Sequence, residues 1–359
     1  MKKKRVLNGL FISGLALVIL VALSIYKIPN FINTTRLKEL GYSDEAIKAI
    51  YEKNVRKEIL DNNYYSDYLN SEVTKNGFNT DYVFLYNVAD ELNDTSFALY
   101  ERLIELKGYS KEELMKVYDK LPIYEITPLL VFDKIENIDN YINDCLSHTE
   151  NNKDSIILSN DYLNAYTNEI VIDNPDSIEA FISLKAPLGN YVPEKLVEIP
   201  SQLASPGLYL ESRALEAFQN LCDAIGREEL GIYAVSAYRS YEDQETVYNS
   251  YSSDKEADQN TIRPGYLDNQ SGLAVMVVSI ENESLNGFKE TEAYTWLKDN
   301  AHKYGFIFRY PENKQSITGQ EGMPYYLRYV GEDLARKIYE SGLTFDEYYM
   351  FYMYETEKE

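Results

Sequence analysis

The chain has 359 residues, of which 45% are hydrophobic and 13% aromatic, so it is long enough and apolar enough to bury one or two cores. Its formal net charge is −23, and because residues 1–26 contain four cations and no acid, the remainder carries −27. A body this acidic repels polyanions and has no basic stripe, which argues against nucleic acid as a partner.

The first predicted element is a transmembrane helix, Val6–Tyr26, within an anchor segment spanning residues 1–30. A helix of this length spans roughly 31 Å, close to the ~30 Å hydrocarbon core of a bilayer. Lys2–Arg5 precede it, so we expect a single-pass cell-membrane protein with a cytoplasmic N-terminus and an extracellular bulk. The alternative is a cleaved signal peptide, but Ser24–Pro29 is a poor match to a small-residue cleavage site.

Residues 31–150 are predicted to form a mostly helical, membrane-proximal region. Leu37–Ser43 and Leu106–Ser110 share a pattern in which Gly ends one helix and Ser caps the next. Ser110 and Glu113 fit a capping box. The region is either a partner-binding or spacer module, or an ordinary helical domain punctuated in this way.

A polar stretch, His148–Ser155, is predicted to be a linker to a second domain, 156–359. In that domain β-type runs are mixed with helical stretches. The runs are Ile156–Leu158, Glu169–Ile172 and Gly231–Ala237, and the helical stretches are Ser212–Ile225 and Thr291–Lys303. Because the two types do not alternate strictly, the predicted fold class is α+β.

The chain contains two cysteines, Cys145 and Cys222, which cannot build a disulfide framework. Each is interpreted as a small buried hydrophobe, with a single disulfide as the alternative. The two histidines are His148 and His302.

Several pieces of the second domain resemble the VanY-type D-alanyl-D-alanine carboxypeptidases. The family patterns are S-x-Y-R-S-x-x-x-Q, R-P-G-x-S-E-H-Q-T-G-L-A-V-D and E-P-W-H-F/L-R-Y, and they correspond here to Ser236–Gln244, Arg263–Met276 and Met323–Tyr329. Trp296–Phe306, Arg309–Pro311 and the upstream Tyr191–Leu196 also resemble the family, so the similarity covers about 190–350. The resemblance implies a small antiparallel sheet flanked by helices, a cleft on that sheet, and stem peptides ending in D-alanine as the ancestral substrate.

The resemblance also implies a single catalytic zinc ion, held by the His and Asp of H-x(6)-D and the His of E-P-W-H, with the Glu of the same motif as base. These positions are Asn269, Met276, Tyr326 and Met323 here. An amide is a weak zinc ligand, a thioether suits copper, and a tyrosine would have to ionise from a pKa of about 10. We therefore expect the zinc site to be lost, with no cofactor and no catalytic residues.

Neighbouring residues are not expected to rebuild the site. If Asn269 lies in a strand facing the cleft, Asp268 should point away from it. Glu321 would be displaced by roughly 7 Å along a strand. His302 falls in a scaffold segment, and His148 lies outside the similar region.

Retained polar residues are candidates for binding a ligand: Arg239, Ser240, Gln244, Gln270 and Ser271. Arg239 either pairs with the carboxylate of a stem peptide or holds the fold by pairing with an internal acid. Three further arginines, Arg263, Arg309 and Arg328, are expected to be structural.

These observations favour an extracytoplasmic pseudopeptidase that binds peptidoglycan stem peptides or a cell-wall synthesis partner. The first alternative is an active D,D-carboxypeptidase with an unorthodox site. The second is a structural or interaction protein that acts through residues 31–150.

Overall fold

The computed structural model describes residues 30–147 and 160–355, which form two compact units. The first ends at Lys116 and the second begins at Val117. The predicted anchor Val6–Tyr26, the linker His148–Ser155 and the run Ile156–Leu158 lie outside the described residues. No helix in the described ranges has the length and apolar character to cross a bilayer. The limits 31–150 and 156–359 remain predictions.

The first unit is helical, as predicted. A helix covers residues 30–40. It is followed by further helices at Asp44–Glu52, Arg56–Asn62, Asp67–Glu72, Val83–Val88 and Asp94–Lys107. The helix Lys111–Lys120 crosses the division between the units.

The repeated Gly–Tyr–Ser pattern forms the turns between helices. Gly41 and Gly108 have φ angles of 114° and 65°, in the left-handed region that a helix-ending glycine adopts readily. The capping box is present, because the Ser110 N–H donates to Glu113 Oε2 at 2.8 Å and the Glu113 N–H donates to Ser110 Oγ at 3.3 Å. Ser43 caps its helix by accepting from a main-chain N–H. The pattern therefore marks helix boundaries in this unit.

The second unit is α+β, with two antiparallel sheets. β1 (Leu196–Glu198) pairs with β2 (Tyr209–Glu211). A four-stranded sheet has the order β3-β4-β6-β5 and antiparallel pairing throughout. Its strands are β3 (Ile232–Ser236), β4 (Ala274–Ser279), β5 (Phe306–Phe308) and β6 (Tyr326–Tyr329). This confirms the predicted fold class for the described part of the chain.

Helices accompany the two sheets in the second unit. They span Ile123–Ile126, Ile138–Ser147, Ser212–Gly226, Tyr241–Tyr248, Asp254–Asn260, Glu292–Asn300, Gln315–Thr318, Glu332–Ser341 and Phe345–Tyr348, and a π-helical turn follows at Tyr349–Met353. Successive strand residues face opposite sides of a sheet. Phe306 packs in a cluster with Phe218 and Leu297, whereas Ile307 packs in another with Ala335 and Ile338. Both faces of β5 are therefore buried.

Most predicted elements of this unit are confirmed, but the run Glu169–Ile172 is not a strand. Its single main-chain bond runs from the Ile170 N–H to the Lys185 carbonyl at 2.7 Å, and Val171 is 78% exposed. Ile170 and Ile172 pack, partly buried, against a hydrophobic cluster, but no strand pairs with the run in the described part of the chain, so its β-type composition does not produce a strand. Cys145 and Cys222 are both buried and no disulfide joins them, as the favoured interpretation predicted.

Candidate functional site

The site begins at a short 3₁₀ turn, Asp268–Ser271, immediately before β4. Asn269 is 4% exposed, and its Nδ2 donates to the Ala237 carbonyl at 2.5 Å. The Arg239 N–H donates in return to the Asn269 carbonyl at 3.3 Å. Two hydrogen bonds thus fasten this turn to the loop that follows β3.

The four positions that carry the family's ligands and base converge on the sheet. Met276 of β4 lies directly opposite Tyr326, the first residue of β6. The Tyr326 hydroxyl donates to Asn269 Oδ1 at 2.5 Å. Met276 and Met323 both pack against the cluster formed by Ala274, Tyr310 and Tyr326. The scaffold therefore still brings these positions together, but with side chains of different chemistry.

This donor set does not fit zinc. Both ends of the Asn269 amide are engaged by protein partners. Burial raises the pKa of Tyr326 well above its usual value, so the hydroxyl stays protonated and donates. Met276 and Met323 supply thioethers, which neither favour zinc nor transfer protons. Across residues 30–147 and 160–355, no three His, Cys, Asp or Glu side chains form a group that could hold a metal ion.

Asp268 is held in a buried ionic cluster. Its Oδ2 accepts from Arg309 Nε and its Oδ1 from Arg328 Nε, both at 2.9 Å, and all three side chains are fully buried. Arg309 Nη1 donates to Asp346 Oδ2 at 2.5 Å. The Tyr310 hydroxyl adds a longer bond to Asp268 Oδ2 at 3.3 Å. Two carboxylates and two guanidinium groups neutralise one another, as buried charges require.

The cluster explains why Asp268 cannot act in the cleft. The expectation that it lies in a strand was wrong, because residues 268–271 form a 3₁₀ turn. Its carboxylate is instead occupied by Arg309 and Arg328, whose predicted structural role is confirmed. Glu321 is exposed in the loop that precedes β6. His302 stacks on Tyr339, with ring centroids 3.8 Å apart, and His148 lies outside the described residues.

Arg239 is a retained candidate whose charged group has unused hydrogen-bonding capacity. Its side chain is half-buried, and its Nη1 donates to Gln244 Oε1 at 3.0 Å. Gln244 is 1% exposed, and its Nε2 donates to Thr261 Oγ1 and the Ile262 carbonyl. No ion pair involves Arg239 among the residues whose positions are described. Gln244 therefore orients the guanidinium and leaves most of its five N–H donors available.

The other retained candidates have protein partners. Ser240 caps the helix Tyr241–Tyr248 by accepting from the Asp243 N–H at 3.0 Å. Gln270 Nε2 donates to the carbonyls of Gly189 and Tyr191 at 2.7 and 2.9 Å, whereas its buried Oε1 has no partner among the described residues. Ser271 Oγ donates to the Asp268 carbonyl at 2.6 Å. These side chains hold the loops around Arg239, and their predicted contact with a ligand remains a prediction.

The sequence of this chain is similar to those of known carboxypeptidases. The sequence profile of VanY, D-alanyl-D-alanine carboxypeptidase, matches residues 207–332. The putative carboxypeptidase YodJ of Bacillus subtilis is 36% identical over 192 residues, which cover 50% of this chain and 69% of YodJ. A D-alanyl-D-alanine carboxypeptidase of Enterococcus faecalis is 33% identical over 167 residues, covering 42% of this chain and 59% of that protein.

Two solved structures are also similar. One is the LD-carboxypeptidase LdcB, with 35% identity and a TM-score of 0.48 over 51% of this chain and 90% of that one. The other is a zinc complex of the vancomycin-resistance D,D-pentapeptidase VanY, with 29% identity and a TM-score of 0.41 over 48% and 98% of the two chains. Taken with the shared motifs and the extent of the YodJ match, the sequence comparisons establish that the chain belongs to the VanY family of D-alanyl-D-alanine carboxypeptidases.

Proposed function

We propose that this protein is a pseudopeptidase, whose cleft binds the carboxylate end of a peptidoglycan stem peptide without hydrolysing it. Hydrolysis in this family is expected to need a metal-bound water and a carboxylate base. Asn269 and Tyr326 occupy two of the positions where the family has metal ligands, and their side chains hydrogen-bond to each other. Met323 occupies the position of the base. The side chains present support binding and do not support activation of water.

The observation that carries the binding role is the guanidinium of Arg239. A carboxylate accepts two parallel N–H bonds from such a group, and the pairing is strongest where water is partly excluded. Arg239 is half-buried beside the turn Asp268–Ser271 and is oriented by Gln244. An internal acid, the alternative partner considered for Arg239, does not pair with it in the described part of the chain.

Calorimetric titration of the full-length protein tests the proposal. The probes are a stem pentapeptide ending in D-Ala-D-Ala and the same peptide with a C-terminal amide, which lacks the charge. We expect the free acid to bind and the amide to bind at least about tenfold more weakly, because a charge-assisted contact is lost. Equal affinity for the two peptides, or no binding of either, would contradict the proposal.

Two variants assign the effect to one side chain. Arg239→Gln is expected to remove the preference for the free acid. Arg227→Gln serves as the matched control, because Arg227 is exposed at the end of the helix Ser212–Gly226 and makes no ion pair within the described ranges. If Arg239→Gln retains the preference for the free acid, another group binds the carboxylate.

The proposal includes a location at the outer face of the cell membrane. It is supported by the apolar run Val6–Tyr26 and the cations before it. Extraction of membranes at alkaline pH provides the test, because a peripheral protein is released and a single-pass protein stays in the pellet. Recovery of the full-length chain in the soluble fraction would contradict the anchor and leave the binding proposal unaffected.

A further inference from the structure

The second unit contains an apolar cavity of about 380 Å³. Its lining comes from the helix Glu292–Asn300, the helix Glu332–Ser341, strand β5 and the residues just after that strand. The volume falls in the range of ~300–1,000 Å³ typical of ligand sites, and an apolar cavity takes an apolar molecule in preference to ordered water. The most deeply buried residues of its lining, each at most 2% exposed, are Leu297, Ala301, Phe306 and Ala335.

Aromatic rings form much of the wall of this cavity. Tyr294 and Phe308 meet edge to face, with ring centroids 5.6 Å apart. His302 and Tyr339 stack at 3.8 Å. Ring pairs in edge-to-face or offset-stacked arrangements gain energy beyond the burial of their area. An aromatic guest therefore gains contacts here that an aliphatic guest of the same size lacks.

The charged groups of the lining do not select a charged guest. Glu312 is paired with Lys289 at 2.7 Å. Lys298 Nζ lies over the Tyr294 ring, 5.9 Å from its centroid. Burial lowers the pKa of His302, so its ring is neutral at pH 7. A charged molecule that entered the cavity would lose its hydration without gaining a free counter-charge.

The Tyr294 hydroxyl is available to a guest. Tyr294 is half-buried in the wall, and its hydroxyl makes no hydrogen bond to any described residue. Burial, followed by the nearby Glu312 carboxylate, raises the pKa of Tyr294, so the hydroxyl stays protonated. A protonated hydroxyl both donates and accepts hydrogen bonds. It can therefore bond to one polar group on an otherwise apolar molecule.

From these observations we infer that the cavity binds a small, uncharged aromatic molecule with one hydroxyl or N–H group, which hydrogen-bonds to the Tyr294 hydroxyl. A saturated lipid chain would leave that hydroxyl without a partner and would lose the ring contacts. Arg239 does not line this cavity. The inference is therefore independent of the function proposed for the cleft.

Phenol is the probe, and the full-length protein with labelled methyl groups is the binding partner. The methyl resonances of Leu297, Ile338 and Leu343, which line the cavity, report on its occupancy. We expect phenol to shift them saturably. Absence of a saturable shift at these methyl groups would overturn the inference.

Two further molecules test the chemical class of the guest. Cyclohexanol keeps the size and the hydroxyl of phenol but has no aromatic ring, and it should bind at least about threefold more weakly. Benzoate replaces the hydroxyl by a carboxylate and should bind at least about fivefold more weakly, because its charge must be desolvated. If cyclohexanol binds as well as phenol, the cavity does not select aromatic molecules, and if benzoate does, it does not select uncharged ones.

Tyr294→Phe tests the hydrogen bond to the guest. We expect the affinity for phenol to fall by about three- to tenfold and the affinity for toluene, which has no polar group, to stay the same. Tyr304→Phe is the matched control, because Tyr304 is also a half-buried tyrosine packed against the same core but does not line the cavity. Equal losses in the two variants would contradict the assigned role of Tyr294.

Ala335→Leu fills the cavity from its buried side and tests the location of the guest. We expect it to weaken phenol binding by at least about tenfold, because the larger side chain occupies the space of the ring. Trp296 emission verifies that the variant is folded, since Trp296 packs against the core of this unit. Unchanged phenol binding by the folded variant would refute the assignment to this cavity. If the variant does not fold, the comparison of Tyr294→Phe with Tyr304→Phe decides the inference.

Discussion

The hydrogen bond between Tyr326 and Asn269 replaces the contacts expected of two metal ligands, and Tyr326→Phe removes it with little change in volume. The two side chains are 2% and 4% exposed, and the bond measures 2.5 Å. Without the hydroxyl, Asn269 Oδ1 becomes a buried acceptor without a donor, which costs about 1–3 kcal/mol. For a unit of this size, each kcal/mol corresponds to a decrease of roughly 2–4 °C in melting temperature.

Urea denaturation followed by tryptophan fluorescence measures this loss. Trp296 is the single tryptophan and packs against the core of the second unit, so its emission reports on that unit. Tyr339→Phe is the matched control, because the Tyr339 side chain is 49% exposed and its loss of a hydroxyl should change stability by less than about 0.5 kcal/mol. If Tyr326→Phe is as mild as the control, the hydrogen bond does not stabilise the cleft as described.

A double-variant cycle assigns the loss to the pair. In an Asn269→Ala background the acceptor is already absent, so adding Tyr326→Phe should cost much less than in the unmodified protein. A coupling energy of about 0.5–3 kcal/mol is expected for two residues in direct contact. Additive losses would show that the Tyr326 hydroxyl acts through another group.

Two further predictions concern the buried polar groups of the second unit. Asp268→Asn leaves two buried guanidinium groups short of a counter-charge and should lower the unfolding free energy by about 3–5 kcal/mol in the same urea assay, and a loss below 1 kcal/mol would be inconsistent with the cluster. Burial, with Asp223 adding to the effect, raises the Cys222 pKa to about 12. In a Cys145→Ser background, Cys222 should therefore react with iodoacetamide at pH 8 roughly three orders of magnitude more slowly in the native than in the unfolded chain, as followed by mass spectrometry. Similar rates in the two states would show that the thiol is accessible and readily ionised.

The sequence predicted secondary structure correctly where contacts between residues close in the chain determine it. The Gly–Tyr–Ser turns and the Ser110–Glu113 capping box depend on residues within one helical turn, and both are present. The β-type run Gly231–Ala237 was also predicted, and a strand is present there at Ile232–Ser236, with Ile232 and Ala234 buried. The run Glu169–Ile172 had a similar composition, but strand formation requires a partner that its own sequence does not reveal.

The site shows the same division between local and long-range information. The motifs predicted which positions would converge, and Asn269, Met276, Met323 and Tyr326 do so. They did not predict that the Tyr326 hydroxyl would donate to Asn269. They also did not identify Asp346, 78 residues beyond Asp268, as part of the ionic cluster, because side-chain pairing across a fold follows from packing rather than spacing. The two arginines Arg309 and Arg328 were the sequence signal for such a cluster, because a buried arginine requires an acidic partner.

Release of D-alanine from a stem pentapeptide by the full-length protein, with zinc supplied, tests the central claim most directly. The unmodified chain should release no more D-alanine than buffer alone. The matched comparison is a variant that restores all four family residues, Asn269→His, Met276→Asp, Met323→Glu and Tyr326→His. Zinc-dependent release by the unmodified chain, abolished by a chelator, would contradict the proposal that its cleft binds without catalysing hydrolysis.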